Sequence, residues 1–390
     1  MKKFLFISII STFGVFLSFR FLTKKSINNF SEDNLIVHEW GTFTTLHGSD
    51  GKRLGGLYIE EEKLPSFVYQ HKLPGNLNDQ LIGHKGSFVE PLNTTVKMET
   101  PVLYFYSQKP QNVSVHVDFP NGSISQWYPQ RDNGDNLPKN SDVVDFSSPF
   151  KGWIEWKNVK ICTKTDELSS PILKNNETPT WTTPRETDAN PIMVNKETEK
   201  FLFYRGLGNF TIPLEVQFKG AKQLSVENKG NVDIPYIFVY EKREDGTEKI
   251  WFTGKLNKKE LRTIGLEKQQ VESLGFKEFE KALISQGLYE KEAKAMLKTW
   301  ETSYFKKPGF RVFWILPSEE VERILPIKVS PKPTEIKRVF VGRCDILSPE
   351  FEEKLVKSYK KEGNLRIRKE FQDHRYILGF EERIKQLIKD

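Results

Sequence analysis

From Val113 to Phe119 the chain alternates without a break, with Val113, Val115, Val117 and Phe119 on one side and Ser114, His116 and Asp118 on the other. A period of two predicts a half-buried strand. Just before it, ETPVLYFYS (Glu99–Ser107) is apolar on both faces, which predicts a strand buried on both. FPNGS reads as a turn and SISQWYP as a returning strand, so the three predict an antiparallel meander. Leu35 to Leu46 reads as an earlier strand that stops at the turn residues Gly48, Ser49, Asp50 and Gly51. The same grammar continues through GWIEWKNVKI, KFLFYRG, PLEVQF, QLSVEN, IPYIFVYEK and KIWFTGKL, with REDGTE turning between the last two. Short strands at this spacing predict a two-sheet, antiparallel sandwich-like body over residues 31–265.

The period changes near Leu266. FKEFEKALISQ ends at Gly287, a natural position just past a helix, and LYEKEAKAMLKTWETSYF resumes with helical spacing. This predicts a helical hairpin, followed by the strands FRVFWILP and KRVFVGRCDIL as a small β segment within residues 266–348. Ser348-Pro349-Glu350 opens a further helix, with Pro favoured at the first turn, and begins a helical tail over 349–390. The expected class is therefore mainly β, α+β overall. Two stretches lack any period: 129–150 and the longer 163–199. A segment of the second length is either disordered or a functional loop, and Trp181, Arg185, Glu186 and Asp188 within it favour partial order.

Composition sharpens this picture. Of 390 residues, 37% are hydrophobic and 13% aromatic, which fits a globular chain rich in half-buried β surface. The net charge is +7, but five cations and no acid lie in the first 25 residues, and without them the chain carries +2. A balance so near neutral argues against a general nucleic-acid binder. The opening MKKFLFISIISTFGVFLSFRF puts two Lys before an apolar run from Phe4 to Phe19. That plan predicts export, with residues 1–25 as a cleaved signal peptide or a retained anchor and no other membrane contact. Two Cys, Cys162 and Cys344, exclude a disulfide scaffold, and either one long-range bridge or two buried thiols satisfies them.

Candidate chemistry is sparse. HEWGTF lacks the second His of a helical zinc motif, because Thr42 stands there. On a strand His38 and Glu39 point to opposite faces, while His38, Trp40 and Thr42 share one. Gly41 marks a bulge or a close backbone approach. His38 is then either a structural hydrogen-bonded residue or a general base. His47 and Asp50 belong to a turn, and no metal site is predicted. In TWTTPRETDA, Arg185, Glu186 and Asp188 either staple the loop to the sandwich or join His38 as the catalytic groups of a hydrolase. Arg205, at the end of an apolar run, needs an anionic partner, for which Glu186 and Asp188 are the expected choices. Trp40, Trp127 and Trp181, with Arg205, are binding candidates, since exposed rings stack on sugars; core packing is the alternative. The nucleophile-elbow, phosphate-loop and dinucleotide fingerprints are missing from the sequence, and no cofactor is indicated.

The phrases HEWGTFT, ETPVLYFY, PRETDA, FLFYRGLG, GLYEKEAKAM and RVFVGR, in this order, resemble an uncharacterised family of exported bacterial proteins. The resemblance spans most of Ile36 to Pro349 and implies an envelope location and a single architecture, with no activity attached. The expectation is thus a cell-envelope protein with a binding or assembly role, its partner a glycan or an envelope protein, and a hydrolase as the alternative.

Overall fold

The computed structural model describes residues 34–59, 64–71, 90–136, 143–166, 170–171, 173, 179–267, 276–371 and 374–389. The export segment, residues 1–25, lies outside them. Ten longer strands carry the architecture: β1 (Leu35–His47), β2 (Val96–Ser107), β3 (Gln111–Pro120), β4 (Gly122–Tyr128), β5 (Lys151–Ile161), β6 (Leu202–Gly208), β7 (Ile234–Lys242), β8 (Glu248–Leu256), β9 (Gly309–Ile315) and β10 (Glu335–Ile346). A nine-stranded sheet runs β8-β7-β9-β10-β1-β2-β6-β4 and ends on the short strand Tyr69–Gln70. A six-stranded sheet is built around β5 and β3, and a three-stranded sheet joins Leu214–Phe218, Gln223–Asn228 and Leu261–Gly265. The mainly β, α+β class expected from the sequence is what forms.

One face of the large sheet packs against the two smaller sheets. Val37, Phe43, Leu103 and Phe105 meet Val115, Val117, Ile154 and Trp156 there, together with Val216 and Leu224. The opposite face carries helices α1 (Phe276–Ser285) and α2 (Glu290–Glu301), with Phe279, Leu283, Ala295, Met296 and Trp300 against Trp40, Tyr104 and Phe313. Helices α3 (Pro349–Glu362) and α4 (Ile377–Leu387) bury Leu355, Phe380 and Ile384 on Leu46, Leu54 and Leu57. The charged tail is therefore docked at the end of β1.

The meander does not form. β2 and β4 lie in the large sheet, whereas β3 between them crosses to the six-stranded sheet and pairs with β5. The links 108–110 and 121 are arches between layers instead of hairpins within one. Alternation is the same for both, so periodicity alone could not distinguish them. It did indicate burial: β3 alternates as a covering strand does, and ETPVLYFYS, apolar on both faces, lies inside the large sheet. The small β segment is also not separate. β9 and β10 sit in the middle of the large sheet, so its strands run across the 265/266 boundary drawn from the change of period.

β10 pairs with β1 in parallel, from Ile36↔Glu335 to His47↔Ile346. On its other side β1 pairs antiparallel with β2, with a slip between Trp40 and Thr42, which oppose Val102 and Glu99. Three steps on β2 thus face two on β1, and the extra residue is on β2 at Thr100–Pro101. Parity confirms it: Met98 and Leu103, an odd number of positions apart, face the same core. Gly41 sits opposite this bulge. A Cβ there would meet Phe340 Cε1 at 2.6 Å and the Pro101 Cα at 3.1 Å, so the close approach read from the sequence is real. Cys162 and Cys344 are two free, buried thiols.

Burial lowers the His47 imidazole to about 4, with the charge of Arg53 adding to it. Burial and then Arg131 do the same to His71. Each takes up a proton in the unfolded chain below its ordinary value of 6.5, but in the fold only near 4. Their contribution is whole above about 6.5 and is lost as pH falls towards 4, at most about 3 kcal/mol per group. Asp135, raised to about 6 by burial, works oppositely: its contribution is whole below 3.8 and is lost as pH rises through 6. Urea unfolding at about pH 7.5 and pH 4.5 should show a smaller acid loss in His47→Gln than in the parent chain. Equal losses would mean that His47 is charged in the fold.

Candidate functional site

β1 distributes HEWGTFTT between the two layers. Glu39 turns to the sheet–sheet core, where it is fully buried, receives the Tyr204 hydroxyl and pairs with Arg338 at 2.6 Å. His38, Trp40 and Thr42 turn to the helical face, as the period of two required. Thr42 Oγ1 meets the Tyr304 hydroxyl at 2.5 Å.

His38 is 1% exposed and its Nδ1 lies 2.8 Å from Glu292 Oε2. A carboxylate only accepts, so the His38 Nδ1 carries a proton and donates it to Glu292. The same carboxylate accepts the Tyr106 hydroxyl at 2.7 Å and the Tyr289 backbone N–H at 2.7 Å. Glu292 is at the third position of α2, so it caps the helix and binds it to β1 and β2 in one step. Burial, reinforced by the Glu292 charge, raises the Tyr106 hydroxyl far above its ordinary range. The His38 ring lies between the Tyr289 ring at 4.4 Å and the Tyr106 ring at 5.3 Å.

Above these rings opens a cleft of about 420 Å³, lined by Asn34, Tyr106, Gln108, Lys164, Asp188 and Tyr289 among others. It lies where β1 begins, β2 ends and α2 starts. Tyr289 is 42% exposed and forms its most accessible ring.

The PRETDA loop is held by individual pairs. Trp181 is buried in the helical-face core, and Tyr104 donates its hydroxyl to the Pro184 carbonyl at 2.9 Å. Arg185 forms a two-pronged pair with buried Glu199 of the six-stranded sheet, the shorter contact 2.7 Å. Glu186 meets Lys298 at 2.7 Å and Asp188 meets Lys291 at 2.6 Å, both on α2. The four residues named for a hydrolase therefore do not converge. Only Asp188 lines the cleft; His38 is beneath its aromatic floor, and Arg185 and Glu186 are engaged elsewhere. The Arg205 expectation also fails, because both acids are taken by α2 lysines; Arg205 Nε instead donates to Gln126. Trp40, Trp127 and Trp181 are 0%, 5% and 2% exposed, so they are core rings with no face for a sugar.

A second cluster lies farther along the same face. Asp345 accepts from Arg343 at 2.6 Å and from the Tyr376 hydroxyl at 2.7 Å, and Arg311 is 2.9 Å away. Burial alone would raise its carboxyl, yet Arg343 and Arg311 outweigh burial and hold it below the ordinary range. Glu99 accepts from Thr44 at 3.2 Å and pairs with Arg375. Sequence reasoning missed this cluster because Glu99, Arg311, Arg343 and Asp345 stand singly in largely apolar strands, and Arg375 and Tyr376 come from the distant C-terminal tail. It missed Glu292 and Tyr289 too: Y-x-x-E lacks the Ser, Thr, Asp or Asn that usually flags a capping box.

No family model and no curated protein matches the chain. Two solved structures of the yeast delta-COP-I mu-homology domain, one complexed with a Dsl1 WxWxV peptide, align with 82% of this chain and 100% of theirs. Their identities are 8% and 7% and their TM-scores 0.29 and 0.30, a likeness too low to carry an argument about this protein. Among the described residues there is no group of His, Cys, Asp or Glu that holds a metal, and no helix long and apolar enough to cross a membrane.

Removing one partner from a buried, charge-assisted network costs about 3–5 kcal/mol, while an exposed ion pair contributes at most about 1. Glu292→Ala should therefore lose stability on the former scale, and Glu186→Gln on the latter, in parallel urea titrations. Similar losses in both would contradict this division.

Proposed function

We propose that the protein is exported and serves at the cell envelope as a binding protein, holding a saccharide in the Tyr106–Tyr289 cleft. The observation that carries this reading is the form of the cleft. It joins a rigid aromatic floor to amide, hydroxyl and charged groups at one accessible opening, within the size range of small-ligand sites. Tyr289 and Tyr106 meet edge to face at 4.9 Å over the buried His38–Glu292 pair, so the floor is fixed before a ligand arrives. Asn34, Ser107 and Gln108 border it with groups that can exchange hydrogen bonds with hydroxyls. A hydrolase would need its reactive groups around the opening, whereas Arg185 and Glu186 are spent on structural pairs. The export half of the reading rests on the two Lys and the apolar run from Phe4 to Phe19.

Two measurements test it. Fractionation of a bacterial host should find the full chain in the envelope and the chain lacking residues 1–25 inside the cell; the same location for both would remove the export reading. In a titration with maltotriose and trigalacturonate, Tyr289→Ala should weaken saccharide binding about tenfold while the protein stays folded, because the ring is 42% exposed and sits at the edge of the core. Undiminished binding in that variant would place the saccharide elsewhere.

A further inference from the structure

The charges at the mouth of the cleft go one step further, to the class of saccharide, and this step rests on the saccharide reading. Asp188 lies among three ammonium groups. Lys291 bonds it at 2.6 Å and, with Lys164 and Lys200, holds its carboxyl below the ordinary range. Lys200 is half-buried and donates to the Thr187 carbonyl at 2.8 Å. Glu290, the other acid on the lining, is neutralised by Lys294. Lys200 also faces Glu199, and Lys294 also lies 4.0 Å from Glu280, so each of these lysines has a carboxylate of its own. Lys164 is the member left over: among the described residues it makes no ion pair or hydrogen bond, and its Nζ stands 6.0 Å from the centre of the Tyr106 ring. An exposed ammonium beside an aromatic floor is placed to meet an anionic group on whatever lies over that floor.

We propose that the cleft selects an acidic saccharide, with its sugar ring over Tyr289 and Tyr106 and its carboxylate or phosphate on Lys164. Lys291 is fixed by Asp188 and shapes the wall, while Lys164 reads the charge. A neutral sugar fills the same space without that contact.

The test uses the full-length protein and three probes followed by calorimetry: trigalacturonate for the carboxylate, glucose 1-phosphate for the phosphate, and maltotriose as the neutral trisaccharide. At about 0.02 M salt an acidic probe should bind about tenfold more tightly than maltotriose, and the advantage should shrink at about 0.3 M, where screening is stronger. Lys164→Gln should lower the affinity for the acidic probe about fivefold or more and leave maltotriose and Tm unchanged. Which acidic probe responds decides between carboxylate and phosphate. Equal binding of acidic and neutral probes, or an unaltered acidic affinity in Lys164→Gln, overturns the charge selection and leaves the saccharide reading in place. Failure of all three probes to bind overturns both.

Discussion

The pairing of β1 with β10 is the contact on which everything else depends. Nearly three hundred residues separate Ile36 from Glu335, yet the two strands lie side by side in parallel at the centre of the large sheet. Parallel neighbours cannot be joined by a tight turn, and here the whole intervening chain serves as the crossover. The closure entropy of so long a connection has to be met by burial on both faces of the pair. That burial is complete: every residue of β1 is buried, as are the last eight of β10. β2 completes the trio, and its extra residue at Thr100–Pro101 allows it to follow β1 past Gly41 while keeping apolar side chains in the core on either side of the bulge.

Burying ions in the central strands of a core is a weak way to gain stability, since desolvation cancels much of the attraction. It is an effective way to specify register. A slip of one residue in β1 would turn Glu39 towards the helices, away from Arg338 and Tyr204, and would drive His38 into the sheet–sheet core, away from Glu292. Slipping β10 would likewise remove Asp345 from Arg311 and Tyr376. Each wrong register leaves a charge or a ring nitrogen buried without its partner. The C-terminal tail takes part in this discrimination, because Arg375 and Tyr376 complete the Glu99 and Asp345 sites and α4 contributes Arg383, paired with Glu352 and Asp50.

What the sequence revealed was local. Strand positions, the helical hairpin, the helix opening at Ser348-Pro349 and the opposition of His38 to Glu39 all follow from spacing within ten residues or so, and they are present. What stayed hidden needed knowledge of neighbours. Nothing in NVSVHVDF tells whether it pairs with ETPVLYFYS or arches over it. Nothing in KRVFVGRCDIL announces that Glu39, three hundred residues earlier, needs Arg338. The aromatic residues misled for a related reason: Trp127 and Trp181 are as bulky in a core as on a sugar platform, and only burial separates the two. The useful ring was Tyr289, in the short connection between two helices where no periodicity applies.

The cleft shows why this division matters for function. Its floor is made of groups whose positions are over-determined, because one carboxylate, Glu292, fixes the first turn of α2, the Tyr106 hydroxyl and the His38 ring together. At its mouth Lys291 is held by Asp188, while Lys164 stands exposed beside the Tyr106 ring. Under the proposed reading, a rigid floor spares a ligand the cost of ordering the protein. The buried pair and the exposed lysines are therefore parts of one arrangement. The network that buries His38 also fixes the surface above it before any ligand arrives.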